Sequence, residues 1–445
     1  MTGFDNFLKL LPSVSAPKKA NTITSKLAWT GIVLALYFIM GSIRLLGLDP
    51  VQTANLGMYQ TILASDLGTL ISLGIGPIVL ASIILQLLAG VKIINFDFSI
   101  PEQRARFTGL QKLVAIVLSI IEAIVSVAVG FLAPAPGMFL IVVLQVALGS
   151  IILIYLDEIV SQYGIGSGIG LFIAAGVCQA VIWMIFSLPS SKLSYAGGLI
   201  FLAMNFLKTG ATIELLSNVI LPISATLIVF FIVVYAEGMH VNIPLTIGRS
   251  GMGANFPVKF LYVSNMPVIL AATLFANVKL LSEFTKNTAL GGFTAGLSTI
   301  LTAPNNFIQT LIFGGFTSSL LLHAIIYTII FVVTCVVFGV FWVEIGGQGT
   351  EAVAKQLQNS GMSIPGFRRD PRVIESVLKK YIPTITILGS IFVALLAVFA
   401  DLTGALGTGT GILLTVGIVY RFYEQLAKEQ VFQSSTLMKQ LMGKQ

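Results

Sequence analysis

Gly164-Ile165-Gly166-Ser167-Gly168-Ile169 opens one long apolar run, and Gly407-Thr408-Gly409-Thr410-Gly411-Ile412 opens another in the second half of the chain. Glycine at every second position is a poor way to start a helix inside lipid. A backbone amide left unpaired there costs several kcal/mol, so irregular backbone persists only against protein or a water-filled cavity. A chain that does this twice, in near-matching words, predicts an internal cavity and an internal duplication. The plainer alternative is that these glycines only let helices pack closely. Their matching positions in the two halves favour the broken helix.

The composition fixes the class. Of 445 residues, 56 % are apolar and only 10 % charged, with a mean hydropathy of +0.96; such a chain is a polytopic membrane protein. A span needs roughly 20 mainly apolar residues. Ten runs qualify, over 27–47, 68–90, 113–133, 138–156, 168–187, 216–236, 260–280, 317–343, 382–402 and 408–426. Met1 to Pro12 does not read as a cleavable signal. Phe4, Phe7, Leu8 and Leu11 share one helical face there, which predicts a helix lying on the membrane surface. Cys178 and Cys335 both fall inside apolar runs and are expected to be small core residues, with no disulfide framework.

Orientation follows from Lys and Arg placement. With a cytosolic N-terminus, only Arg44, Lys192, Lys208, Lys279 and Lys286 of the 25 basic residues fall on the outer side. Both termini are therefore expected in the cytosol, and the cell membrane is the expected location. Five spans per half is an odd number, so the second half must thread the bilayer the opposite way, as an inverted repeat does. The chain divides into an amphipathic N-terminal segment 1–26, a first half 27–190, a second half 191–430 and a cytosolic tail 431–445.

Asp49 to Asp66 does not read as a span. Its core, Ala54 to Ala64, would be roughly 16 Å long as a helix, about half the hydrocarbon thickness. Leu56, Tyr59, Ile62 and Leu63 sit at helical spacing, while Asn55, Gln60 and Ser65 keep the segment partly polar. It can dock in a cavity or lie on the outer surface. Span 2 then opens with Gly74-Ile75-Gly76-Pro77-Ile78-Val79. Proline is tolerated in a first helical turn, where its missing donor costs nothing, so the helix is expected to start well inside the membrane. Ile75 and Val79 are four apart, as are Ile169 and Ile173, and each pair stacks on one face beside an irregular start.

At this point the chain resembles a known family. Leu70-Ile-Ser-Leu-Gly-Ile-Gly-Pro-Ile-Val79 and Ile154 to Ile173 (Ile-Tyr-Leu-Asp-Glu-Ile-Val-Ser-Gln-Tyr-Gly-Ile-Gly-Ser-Gly-Ile-Gly-Leu-Phe-Ile) resemble the two signatures of the SecY family. That family supplies the central subunit of the protein-conducting channel, and its eukaryotic counterpart is the alpha subunit of the endoplasmic reticulum translocon. Tyr262 to Leu270 and Gly407 to Tyr423 resemble the family's seventh and tenth helices, and the wording is closest to the archaeal branch. The resemblance implies an all-α polytopic membrane protein: ten transmembrane helices in two inverted five-helix halves around a central hourglass pore.

By motif position the resemblance puts an aliphatic ring at the pore waist, formed by Ile75, Val79, Ile169, Ile173, Ile269 and Leu414. An apolar constriction excludes water and ions by dewetting, yet its flexible side chains can yield around a passing peptide. Pairing Gly164 with Gly407 leaves Ile169 directly after its last glycine and Leu414 three beyond, so a lopsided ring is expected. The family's plug falls on about 54–66, taking in Ala54, Leu56, Tyr59, Ile62 and Leu63. A lateral gate to lipid is implied between spans 2–3 and 7–8. It carries Glu122, Asn277 and Leu80, the last where related archaeal sequences can carry a polar residue. A carboxyl inside a span is a functional hypothesis by default; Glu122 is expected to pair with Asn277, against the alternative of a static packing bond.

The loops 237–259 and 344–381 resemble the family's cytosolic docking surface, with Arg249 in the first and Arg368 and Arg369 in the second. Ribosomal RNA is a dense polyanion, so these arginines imply salt-dependent attachment. For Arg372, Lys379 and Lys380, beside a span, lipid headgroups are the favoured partners. The implied partners are the ribosome, nascent polypeptides with their signal sequences, membrane lipids, and single-span subunits of the SecE and beta/SecG types. No cofactor is implied. A secondary transporter is the first competing reading, because it too uses inverted repeats and broken helices. Enzyme activity is the second, but His240 and His323 belong to no H-E-x-x-H motif and no Walker sequence occurs.

Overall fold

The structure is a computed structural model that describes residues 12, 14–15, 17, 22–48, 67–90, 93–94, 96, 101–186, 198–210, 215–247, 252–263, 265–285, 290–304, 307–312, 317–359, 362–363, 371–407 and 409–442. The expected surface helix over residues 4–11 and the expected plug lie outside these residues. So do Arg249, Arg368 and Arg369.

Helices dominate. In chain order they are α1 (Ile23–Ser42), α2 (Gly76–Gly90), α3 (Pro101–Ala128), α4 (Phe139–Tyr163), α5 (Gly168–Phe186), α6 (Leu199–Thr209) and α7 (Leu221–Gly238). They continue with α8 (Met266–Thr285), α9 (Gly291–Ile300), α10 (Phe307–Ile312), α11 (Ser318–Ile345), α12 (Thr350–Asn359), α13 (Pro371–Leu402) and α14 (Gly409–Met442). Each of the ten expected spans contains one of these helices. Among the described residues, eight helical stretches are long and apolar enough to cross a membrane. Span 2 starts late, at Gly76 after a series of turns, and α2 is correspondingly short: about 22 Å at 1.5 Å per residue. One turn of π-helix, Leu216–Ile220, leads into α7. Pro222 follows it, and with no N–H it cannot close the α-helical bond to Asn218.

The chain forms two compact units. The first comprises Met1–Ala81, Lys112–Ile200 and Leu414–Gln445; the second comprises Ser82–Gln111 and Phe201–Leu413. In the first, α1 buries only a stripe of Thr30, Val33, Tyr37 and Met40. Ile32, Leu36, Phe38 and Ile39 stay exposed on an equally apolar opposite face, the pattern of a helix whose outside is solvated by lipid. Tyr37 stacks on Phe172 of α5 at 5.1 Å. Where the chain turns after α1, the Gln145 side chain from α4 binds Leu46 twice, accepting its N–H at 3.0 Å and donating to its carbonyl at 3.1 Å. Leu45, Ala123, Val127, Leu132, Val142 and Val146 pack beneath this corner.

The second unit departs from an all-helical expectation in its loops. Strands β1 (His240–Ile247) and β2 (Met252–Lys259) pair antiparallel, and β3 (Met362–Ser363) joins the free edge of β1 in the order β2-β1-β3. Val241, Ile243, Leu245 and Ile247 alternate with Asn242, Pro244 and Thr246, the period of two that a strand requires. The two loops expected to form the docking surface thus share one sheet. Val258, Val353, Leu357, Ile374, Leu378 and Ile382 form a common core under it. Tyr262 donates to the Gln348 carbonyl at 2.8 Å. Phe275 of α8 meets Tyr327 and Phe331 of α11 edge-on, at 6.4 and 5.5 Å.

The cysteine expectation holds for Cys335, which is buried, and fails for Cys178, which is exposed on α5. Cys178 occupies the outward face of a helix that is apolar all round, so hydropathy alone could not orient it. N-ethylmaleimide should therefore modify Cys178 in detergent and reach Cys335 only after unfolding. Mass spectrometry of native and denatured samples checks this, and protection of Cys178 in the native state would count against the packing of α5.

Candidate functional site: the clamped helix starts of the two halves

The two glycine words fold alike, but not in the pairing that their first letters suggest. Gly166 takes φ 73° and Gly407 takes φ 64°, a left-handed conformation that only glycine adopts without cost. These two are the structural equivalents. Two residues on, Gly168 and Gly409 each begin a helix pressed onto the preceding long helix. A Cβ on Gly168 would lie 2.5 Å from the Asp157 Cα, and one on Gly409 would run into the backbone at Ala400 and Asp401. In this register Ile173 and Leu414 are equivalent, each seven residues after the left-handed glycine. Ile169 corresponds to Thr410, so the unevenness of the expected ring falls there rather than at Leu414.

The backbone donors of both starts are met in the same way. A helix start leaves four N–H groups without intrahelical partners, and water does not meet them inside a bilayer. Ile169 N donates to Asp157 Oδ1 at 2.8 Å, and Thr410 N donates to Asp401 Oδ1 at 2.8 Å. Each is the second residue of its helix, and each carboxylate comes from the helix before the break (α4 and α13). Ser167 adds an N-cap on α5, accepting from Gly170 N at 3.3 Å. Asp401 also receives the Thr410 hydroxyl at 2.5 Å and the Tyr327 hydroxyl at 3.3 Å. A negative group at a helix N-terminus is favoured by the helix dipole, and a hydrogen bond to a charged group contributes about 1.5–3 kcal/mol.

The residue before each left-handed glycine is held by a threonine of the half's first span. Ile165 N donates to Thr30 Oγ1 at 3.1 Å, and Leu406 N donates to Thr226 Oγ1 at 2.9 Å. Both hydroxyls donate in turn to the carbonyl four residues back, Lys26 and Pro222. A second matched word escaped the sequence reading: Leu148-Gly149-Ser150-Ile151 on α4 and Leu388-Gly389-Ser390-Ile391 on α13. Gly149 abuts the Leu70 carbonyl and Gly389 the Phe260 carbonyl, each just ahead of the second spanning helix of its half. Asp157, Asp401, Thr30 and Thr226 were also missed. The repeated tetrapeptide was the signal that could have aligned the halves and drawn attention to the helices that carry the two aspartates.

Of the expected ring, Ile75, Val79, Ile173, Ile269 and Leu414 are buried and Ile169 is half-buried. All but Ile269 belong to the first unit. Within it, Gly166 and Gly170 of the α5 start approach Phe422 and Ile418 of α14. In the second unit, Ile269 N donates to Asn265 O at 3.1 Å, and the Asn265 amide donates to the Leu413 carbonyl at 3.3 Å, the residue before Leu414. The residues expected at the lateral gate are each seen in their own surroundings. Leu80 and Asn277 are half-buried, and Asn277 Nδ2 donates to Thr273 O of its own helix at 2.9 Å. Among the described residues, Glu122 Oε1 is buried without a hydrogen-bond partner. His323 Nε2 lies 2.8 Å from the Thr299 carbonyl and His240 Nδ1 3.2 Å from that of Gly238, so one ring nitrogen of each histidine is engaged by backbone.

A polytopic helical membrane protein, duplicated internally and broken at the last helix of each half, is the class that this fold and site define. The SecY family model matches residues 69–423. The Protein translocase subunit SecY of Methanococcus vannielii is 46 % identical over 457 aligned residues, which cover 98 % of this chain and 98 % of the relative. Among solved structures, a protein-conducting channel aligns with a TM-score of 0.81 and 45 % identity over 97 % of this chain and 98 % of that one. Sec61 in a canine ribosome-channel complex from the endoplasmic reticulum aligns with a TM-score of 0.78 and 44 % identity, again over 97 % and 98 %. The chain belongs to the SecY family.

Proposed function

We propose that this chain is the central pore-forming subunit of a Sec translocon. It passes unfolded secretory polypeptides across the membrane and releases transmembrane segments sideways into lipid. The observation that carries this reading is the pair of clamped helix starts, which set Ile173 and Leu414 at equivalent, buried positions in the two halves. With Ile75, Val79, Ile169 and Ile269 they form the ring that closes the waist. The plug over 54–66 fills the space outside the ring. Leu80, Glu122 and Asn277 line the lateral gate, where Glu122 pairs with Asn277 as the gate rearranges. The protein resides in the plasma membrane with both termini in the cytosol, beside SecE-type and beta/SecG-type single-span subunits. Restoration of secretory-precursor transport by the purified chain with its co-purifying subunits, in proteoliposomes, is the direct test. A preparation that moves small solutes but no polypeptide would overturn it.

The loops 237–259 and 344–381 dock the ribosome through Arg249, Arg368 and Arg369. A shared sheet and core supports this, because it gives both loops one rigid base. Arg368→Glu is expected to weaken ribosome binding roughly tenfold at moderate salt and to flatten the salt dependence of the affinity. Sedimentation of ribosomes with the detergent-solubilised chain across a salt series checks this; an unchanged affinity and slope would assign Arg368 to lipid headgroups.

A further inference from the structure

The groups that hold the two helix starts belong to helices that contribute no ring residue. α4 and α13 carry Asp157 and Asp401, whereas the ring residues sit on α2, α5, α8 and α14 or at the turn into α2. We propose that Asp157 and Asp401 are positioning residues for the waist: each carboxylate fixes the amide one turn ahead of Ile173 or Leu414, so that closure depends on two half-buried acceptors as well as on aliphatic packing. This rests on the ring reading above and deepens it.

Three observations support the assignment. Ile169 and Thr410 precede Ile173 and Leu414 by four residues, so the held amide and the ring side chain share one helical face. Gly168 and Gly409 leave no gap between the helix start and the backbone that bears the carboxylate, so the start cannot slide while the bond persists. The same amide position is bonded at the same 2.8 Å in both halves, although the aspartates stand at different distances along the chain from the glycines they serve. Simple conservation of spacing through duplication does not produce that; a shared geometric requirement does. Asp401 takes two further hydroxyl donors, so its removal disturbs more than the helix start. Asp157 is the cleaner test.

The experiment measures resting ion conductance of the purified chain with its co-purifying subunits in planar bilayers, and thermal unfolding of the same samples in detergent. Asp157→Ala is expected to raise the leak about tenfold by wetting the waist. Asp157→Asn, which keeps an acceptor oxygen in reach, should stay near the parent. Ser119→Ala breaks the buried 3.0 Å hydroxyl pair with Ser150 between α3 and α4; it should lower thermal stability without adding leak, which separates positioning from general destabilisation. Ile173→Gly should leak by itself, and adding Asp157→Ala to it should add little, because both act on one side chain. Should Asp157→Ala fail to accumulate, Asp157→Ser, polar but one atom too short to reach Ile169 N, takes its place with the same expected leak. A parental leak in the Asp157 variant beside a leaky Ile173→Gly overturns the positioning role alone. A silent Ile173→Gly overturns the ring itself.

Discussion

Gly149→Ala should abolish the accumulation of folded protein, while Gly31→Ala leaves it unchanged. A Cβ on Gly149 would run into the Leu70 carbonyl oxygen, with the carbonyl carbon at 2.8 Å. Both sides of that contact are main chain. α4 cannot withdraw, because Ser150 is bonded to Ser119 and Val142, Val143, Val146 and Ala147 are buried in the core of the first unit. The Leu70 segment is held as well, since Leu70 N donates to Ile43 O at 3.1 Å. Overpacking a well-packed interior costs about 1–3 kcal/mol and more where no side chain can yield. The gain from replacing glycine by alanine in a helix, about 1 kcal/mol, does not offset that. Gly31 has nothing within 4 Å of the added atom and supplies the control. Gly409→Ala should resemble Gly149→Ala, because its Cβ also meets main chain, whereas Gly389→Ala, at 2.8 Å from a single carbonyl oxygen, should be milder. Yield of monodisperse protein and its unfolding temperature in detergent rank the four. If Gly149→Ala matches Gly31→Ala, the approach of α4 to the Leu70 segment is wrong.

What the sequence made legible follows from which forces leave a trace in composition. Lipid demands long apolar runs, so the helices of all ten expected spans could be found by length and hydropathy, and the glycine words marked the broken starts. The register of the repeat could not be found this way. Glycines at spacing two look the same when shifted by two, and Gly164 pairs with Gly407 as well in letters as Gly166 does. Only backbone conformation and the partners of Ile165, Ile169, Leu406 and Thr410 decide it. Asp157 and Asp401 sit at the ends of apolar runs, where a carboxylate ordinarily meets water, and nothing local marks them as bonded to a helix that starts 8 or more residues later. The strands were hidden for a different reason: an eight-residue alternation between long apolar spans is a short and weak signal beside their hydropathy.

The corrected register sharpens what the waist should do when it is cut. Ile173→Gly and Leu414→Gly are expected to raise resting ion conductance by similar factors, on the order of tenfold each, because they are equivalent and both fully buried. An apolar neck stays dry while its width is too small for water to keep its hydrogen bonds; removing four carbons from one side chain widens it on that side and lets a water column form. Ile173→Val removes a single carbon and should remain close to the parent. Ile169→Gly should leak less than Ile173→Gly, since Ile169 is half-buried and its counterpart Thr410 is already polar. The double variant Ile173→Gly/Leu414→Gly should exceed either single, because it opens the neck on two sides. Single-channel recordings in planar bilayers separate the variants by leak amplitude and by the fraction of time open. If Ile169→Gly leaks more than Ile173→Gly, the narrowest point lies nearer the α5 start than the paired glycines imply. If all of them remain tight, closure does not depend on aliphatic side chains at these positions, and the seal must be sought in the 54–66 segment instead.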